Sequence, residues 1–274
     1  MSTYSHVYPD GLAGMIEFAE TGMKAGRAHN TATDPAGRAS FIGREFRDWA
    51  DVKAKLDEAW PDGLDEVQWM LFELRNVKLP TVTCQKRRPR FADEGDEIDN
   101  DRLRSGQEYW RTLRRESSTG PQTFVIVAAM TTPANRDSMD VLWRGAVAIV
   151  LADLLEDQGH RVELWACHRT GHAYKSGADN FQAVCLKHSE EPVDISTLTN
   201  AVSGWCYRTL WFTDMDAEPR SKTRAGLGHC RSVSQYDENV QAITSGANLI
   251  VIDNLWNKTA AVEFASRTLE TINA

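Results

Sequence analysis

Cys167, His172, Cys185 and His188 stand in the pattern C-x4-H-x12-C-x2-H, and thiolate and imidazole are the ligand types of a tetrahedral zinc site. Strand geometry opposes their convergence. If residues 161–167 and 181–187 pair as a hairpin, Cys185 lies opposite about residue 163, roughly 13 Å along the strand from Cys167. Zinc–ligand bonds are only about 2.0–2.3 Å long, so the four residues meet only if the hairpin does not form. Cys167 with His172, or Cys230 beside His229, would be the nucleophilic pairs. Closeness in sequence does not place a base on a thiol, however, and buried cysteine usually packs as a small apolar residue.

Charge is segregated between Pro80 and Pro121. Lys86, Arg87, Arg88 and Arg90 precede the acidic run Asp93–Asp101, and Arg111, Arg114 and Arg115 follow with Tyr109 and Trp110 among them. Lysine and arginine neutralise phosphates and release counterions, and aromatic rings stack on bases, so residues 86–115 are the candidate nucleic-acid surface. The competing reading pairs these cations with the neighbouring carboxylates. Gly95 falls too early for a D-x-[DN]-x-[DN]-G-x5-E calcium loop. A metal-dependent hydrolase built on Asp93–Asp101, or on carboxylates at strand ends, would need convergence that a linear run does not establish.

The elements that must position these groups fall into three regions. Residues 1–79 read as helical: a short helix near Leu12–Glu20, a Gly/Ala/Thr-rich loop over 22–40, and an Asp48-capped helix to about Ala59. A Trp60–Gly63 turn and a further helix with Leu64, Val67, Leu71 and Leu74 on one face complete it. Residues 80–121 read as a charged linker or docking segment. From Thr123, a buried apolar strand (Thr123–Ala129) leads into a helix that Asp137 or Ser138 caps and Gly159 closes. A second strand, Arg161–Ala166, completes a βαβ unit. A strand over Asn180–Lys187, helix over Asp194–Phe212, a last strand Leu249–Ile252 and a helix from about Thr259 to Ile272 follow. The fold class is α/β, a doubly wound sheet over 122–274 with an N-terminal helical region.

In such a sheet ligands bind beyond the C-terminal strand ends, here the loops 130–137, 167–179 and 253–258. None carries G-x-G-x-x-G or G-x-x-x-x-G-K-[ST], so nucleotide binding loses its main support. The arrangement resembles a von Willebrand A-type domain over about 150 residues, and also an uncharacterised group of phage and bacterial proteins with such a domain. Phe41–Trp49 and Tyr109–Arg111 carry the second likeness. In the A-type family, Asp-x-Ser-x-Ser after the first strand holds a divalent metal through hard oxygen ligands. The matching stretch is Ala129-Met130-Thr131-Thr132-Pro133, which lacks the carboxylate and the last hydroxyl. The resemblance therefore implies a scaffold without its metal and without a cofactor, leaving Thr131, Thr132, Asp137 and Asp253 as a rim for a protein partner.

Composition sets the outer limits. The chain has 274 residues, 42% hydrophobic and 26% charged, with nine tryptophans, a net charge of −8 and a pI near 5.4. That balance opposes a protein that coats nucleic acid or an anionic membrane over its whole surface. No apolar run is long enough to span a bilayer, and the start lacks the order of a secretory signal. Five cysteines without paired spacing do not form a disulfide framework. These features point to the cytoplasm, that of the host if the chain is phage-encoded. The expected function is a non-catalytic protein-binding or assembly module, with a protein partner or self-association. Nucleic-acid binding and metal-dependent hydrolysis are the alternatives.

Overall fold

The computed structural model describes residues 4–28, 39–75, 89–92, 97–113, 121–171, 179–218, 229–244 and 248–273. Their strands in chain order are β1 (Tyr4–Tyr8), β2 (Pro89–Ala92), β3 (Glu97–Ile98), β4 (Trp110–Leu113), β5 (Thr123–Ala129), β6 (Arg161–Gly171), β7 (Asp179–Lys187), β8 (His229–Cys230) and β9 (Asn248–Ile252). Six form one sheet in the order β1-β7-β6-β5-β9, with β8 on the far end of β6. The pairs β5–β6, β5–β9 and β1–β7 are parallel, while β6 pairs antiparallel with β7 and β8.

Strand β5 sits inside the sheet, between β6 and β9, and every residue from Phe124 to Ala129 is apolar and buried, so both of its faces can be covered. The crossover helix Ser138–Asp157 is buried from Val141 to Ala152 without a break. It therefore shows almost no amphipathic stripe, as expected of a helix enclosed on all sides. Gly159 closes it at φ +88°, a left-handed conformation that glycine adopts without a Cβ penalty.

The α/β class and the strand–helix–strand unit are as expected, but the N-terminal region differs. Residues 1–79 and 123–274 make one compact unit. Met15, Ala19, Val52, Val67, Met70 and Leu74 join the same core as Ile126 and Leu142. The polar start of the chain supplies β1, an edge strand paired with β7. The first helix runs Leu12–Lys24, and Asp48 caps Trp49–Asp57 by accepting from the Asp51 amide at 2.8 Å. Pro61 is not in a turn: it opens the helix Pro61–Leu74, where its missing N–H costs nothing and its φ is already helical. Residues 29–38 of the expected loop lie outside the described residues.

Residues 80–122 form a second unit. It is more than a linker, since β2, β4 and β3 make a three-stranded antiparallel sheet. Asp99 caps a one-turn helix, Asn100–Arg104, by accepting from the amides of Asp101 and Arg102.

In the first unit, the segment after β7 crosses the start of the crossover helix closely. A Cβ on Gly204 would lie 2.3 Å from the Ser138 carbonyl oxygen, backbone that cannot swing aside. Gly204→Ala is therefore expected to cost about 1–3 kcal/mol, read as a lower urea midpoint at unchanged slope. An unchanged midpoint would show that the two segments are free to separate.

Candidate functional site

Strands β5 and β9 end together at one rim, with Ala128 beside Ile252 and Ala129 beside Cys167 of β6, which runs on to Gly171. The group that organises this rim is Arg144, two turns into the crossover helix and fully buried. Its Nη1 donates to the Thr131 carbonyl at 2.8 Å and its Nη2 to the Met130 carbonyl at 3.3 Å. Nη2 also donates to Thr132 Oγ1. Asp253 Oδ1 lies 3.9 Å from Nη1, and the Trp256 ring covers the guanidinium with its centroid 4.4 Å away. Burial lowers the Arg144 pKa to about 10, partly opposed by Tyr207 and Asp253, so the group stays charged at neutral pH.

The expected rim residues divide accordingly. Thr131 and Thr132 are only 4% and 6% exposed and so do not face a partner. Thr131 Oγ1 accepts from the Arg169 amide at 2.7 Å, and Thr132 Oγ1 donates to the Met130 carbonyl at 2.8 Å. Asp253 is tied inward by the Val233 amide at 3.0 Å and outward by the Asn254 amide at 2.8 Å. Asp137 is exposed at the helix start and makes no side-chain cap. The accessible layer of the rim is thus Asp137, Arg136, Asn254 and the half-buried Trp256, whose ring Arg136 also approaches to 4.9 Å.

A polar row leads from this rim into the sheet. Successive strands place His168 (β6), Gln182 (β7) and His6 (β1) in register on the face covered by the helices. Above them the chain forms a π-helical turn, Tyr207–Trp211, a feature frequent at functional sites. Tyr207 Oη lies 2.9 Å from His168 Nδ1 and accepts from the Thr132 amide at 3.4 Å. Further along, Asp214 accepts from Tyr8 Oη at 2.7 Å and from Gln182 Nε2, and Tyr8 Oη lies 3.1 Å from His6 Nδ1. Burial raises the Asp214 pKa to about 7, with Glu218 adding to the rise and the Tyr8 and Gln182 hydrogen bonds opposing it. Burial, then the charge of Arg144, lowers His168 to about 3, so its imidazole is neutral.

The zinc pattern does not assemble among the described residues. The β6–β7 hairpin forms, but with Cys185 opposite Trp165 rather than residue 163, and Cys167 opposite Ala183. Strand β6 continues to Gly171, so the far turn sets a frame different from that of the shorter strands expected, and a register shift intervenes at Leu164/Trp165. Cys185 Sγ is 3.6 Å from His188 Nδ1, while His172 lies outside the described residues. Burial pushes the Cys185 thiol up to about 12 and raises Cys167 further, so neither is a ready thiolate. No three His, Cys, Asp or Glu side chains among the described residues gather as a metal site.

In the second unit, Tyr109 and Trp110 are half-buried, with ring centroids 5.9 Å apart. Arg90 pairs in register with Thr112, and Arg111 with Phe91 on one side and Glu97 on the other. Lys86, Arg87, Arg88 and Arg114, together with residues 93–96 of the acidic run, lie outside the described residues.

Sequence reasoning passed over Arg144, His168, Gln182, Tyr207 and Asp214. Arg144 carried the best available signal, a single cation inside an apolar helix, because a buried charge must find partners.

A family model described as "Domain of unknown function (DUF7192)" matches residues 2–274. No curated protein and no solved structure matches the chain. No helix among the described residues is long and apolar enough to cross a membrane.

Proposed function

The chain belongs to the DUF7192 family, and from that starting point we propose that it is a non-catalytic protein-binding or assembly module. In this reading the scaffold is an A-type α/β domain acting in the cytoplasm, with a partner protein or a second copy contacting the accessible rim at Arg136, Asp137, Asn254 and Trp256. The observation that carries the reading is Arg144. Its guanidinium engages the Met130 and Thr131 carbonyls and the Thr132 hydroxyl beside Asp253. Those are hard oxygen groups of the kind a divalent cation would use. A permanent positive charge among them satisfies the oxygens and repels a second cation at short range. Metal-assisted chemistry at these strand ends is disfavoured for that reason.

The test is a calorimetric titration of the full chain with Mg²⁺ and with Mn²⁺. The expected result is no saturable heat from either ion. Tight binding that disappears in Thr131→Ala would overturn the proposal.

A further inference from the structure

The hydrogen-bonded groups that descend from the rim and those that surround Asp214 meet at His168 and Gln182. These two are direct partners in the antiparallel β6–β7 ladder. Cβ atoms of such a pair stand about 4.5–5.5 Å apart on one face of the sheet. Both side chains are buried, at 1% and 0% exposure. His168 Nε2 and Gln182 Oε1 nevertheless have no hydrogen-bond partner among the described residues.

The remaining atoms of each side chain fix what these two can do. Tyr207 Oη accepts from the Thr132 amide, which leaves its own proton for His168 Nδ1. A neutral imidazole that accepts at Nδ1 carries its proton at Nε2. The amide nitrogen of Gln182 donates to Asp214, so Oε1 is the end that faces away from it as an acceptor. One cross-strand pair therefore carries both a buried donor and a buried acceptor without a partner among the described residues. A third such atom is close by: Trp211 Nε1, also buried without a partner, belongs to a ring whose centroid is 6.4 Å from that of His168.

We infer that one buried water molecule binds between His168 Nε2 and Gln182 Oε1, accepting from the imidazole and from Trp211 Nε1 and donating to the glutamine carbonyl. A buried water typically makes about three hydrogen bonds to groups that would otherwise lack partners. These three come from β6, β7 and the π-helical turn. Leaving each unpaired would cost its desolvation with nothing in return, which argues against a dry site. With the water in place, one hydrogen-bonded chain runs from Thr132 through Tyr207, His168, Gln182 and Asp214 to Tyr8 and His6 on the edge strand. The rim is then joined to β1 through the interior of the sheet.

The test is nuclear magnetic resonance of the full chain labelled with ¹⁵N-histidine. The expected result is a His168 ring in the Nε2–H tautomer, with its Hε2 proton cross-relaxing to water with the sign of a long-lived bound molecule. An Nδ1–H tautomer, or an Hε2 proton without a water cross-peak, would overturn the inference. Gln182→Met keeps side-chain length and removes the acceptor. It is expected to abolish the cross-peak and speed Hε2 exchange at least tenfold, and an unchanged cross-peak in this variant also overturns the site. If Gln182→Met does not fold, the wild-type tautomer and cross-peak decide alone.

Discussion

Arg144→Met is expected to lose roughly 3–5 kcal/mol of unfolding free energy at pH 7, which urea titration against the wild-type chain would read. Methionine suits the apolar surroundings of the crossover helix, so the loss does not come from poor packing. It comes from what the guanidinium leaves behind. The Thr131 carbonyl and Thr132 hydroxyl are in a buried stretch and lose their charged donor. Hydrogen bonds to charged groups contribute about 1.5–3 kcal/mol each. Asp253 suffers less, because the amides of Val233 and Asn254 still donate to it and its side chain is 14% exposed. Arg144→Lys should fall between the two, since an ammonium keeps the charge but cannot reproduce the planar fork. A Met variant within about 1 kcal/mol of wild type would mean that the rim carbonyls find other donors, and the central role given to Arg144 would be lost.

The second large effect depends on pH. Asp214 has a folded pKa of about 7 against an ordinary value of 3.8. Between those values the folded chain holds a proton that the unfolded chain has released, so stability falls as pH rises. The contribution is fully present below about pH 4 and is lost by the time pH passes 7. Asp214→Asn removes the titration while keeping the hydrogen bonds. The new amide oxygen accepts from Gln182 Nε2, and the amide nitrogen donates to Tyr8 Oη, whose proton turns to His6 Nδ1. The variant is therefore expected to be more stable than wild type at pH 8, by on the order of 2–4 kcal/mol, with the gap closing towards pH 4. Thermal unfolding of both proteins across pH 4–8 measures it. Parallel curves, with no change in the gap, would show that Asp214 is ionised throughout.

Much of this protein was legible in local pattern. Thr123–Ala129 reads as a doubly covered strand because no residue in it needs water. The helix Ser138–Asp157 reads from its unbroken apolar content and from Gly159. Its α/β class follows from those two elements and Arg161–Ala166, each legible from its own apolar content and boundaries. Strand β1 was not legible, because Tyr-Ser-His-Val-Tyr is polar and marginal alone. It is a strand only because β7 offers an unpaired edge, and that edge exists only after the sheet has formed. Pro61 is a different case: Pro-Asp-Gly suits a turn and a first helical turn alike, and here it opens the helix Pro61–Leu74.

The candidate site lay further from view. Thr131, Thr132 and Asp253 could be named as a rim because strand ends mark it, yet whether they face out or in depends on Arg144, thirteen residues beyond Thr131 on another element. His168, Gln182 and His6 are scattered in sequence and form one row only through strand register. A shift of one residue in the β6–β7 pairing would turn them to the other face. Sequence by itself determined which segments are apolar enough to be buried and where they stop, because those properties are local. Tertiary structure decided which charges are buried with them and what each one touches, because a buried cation or carboxylate is tolerated only where distant groups arrive to satisfy it.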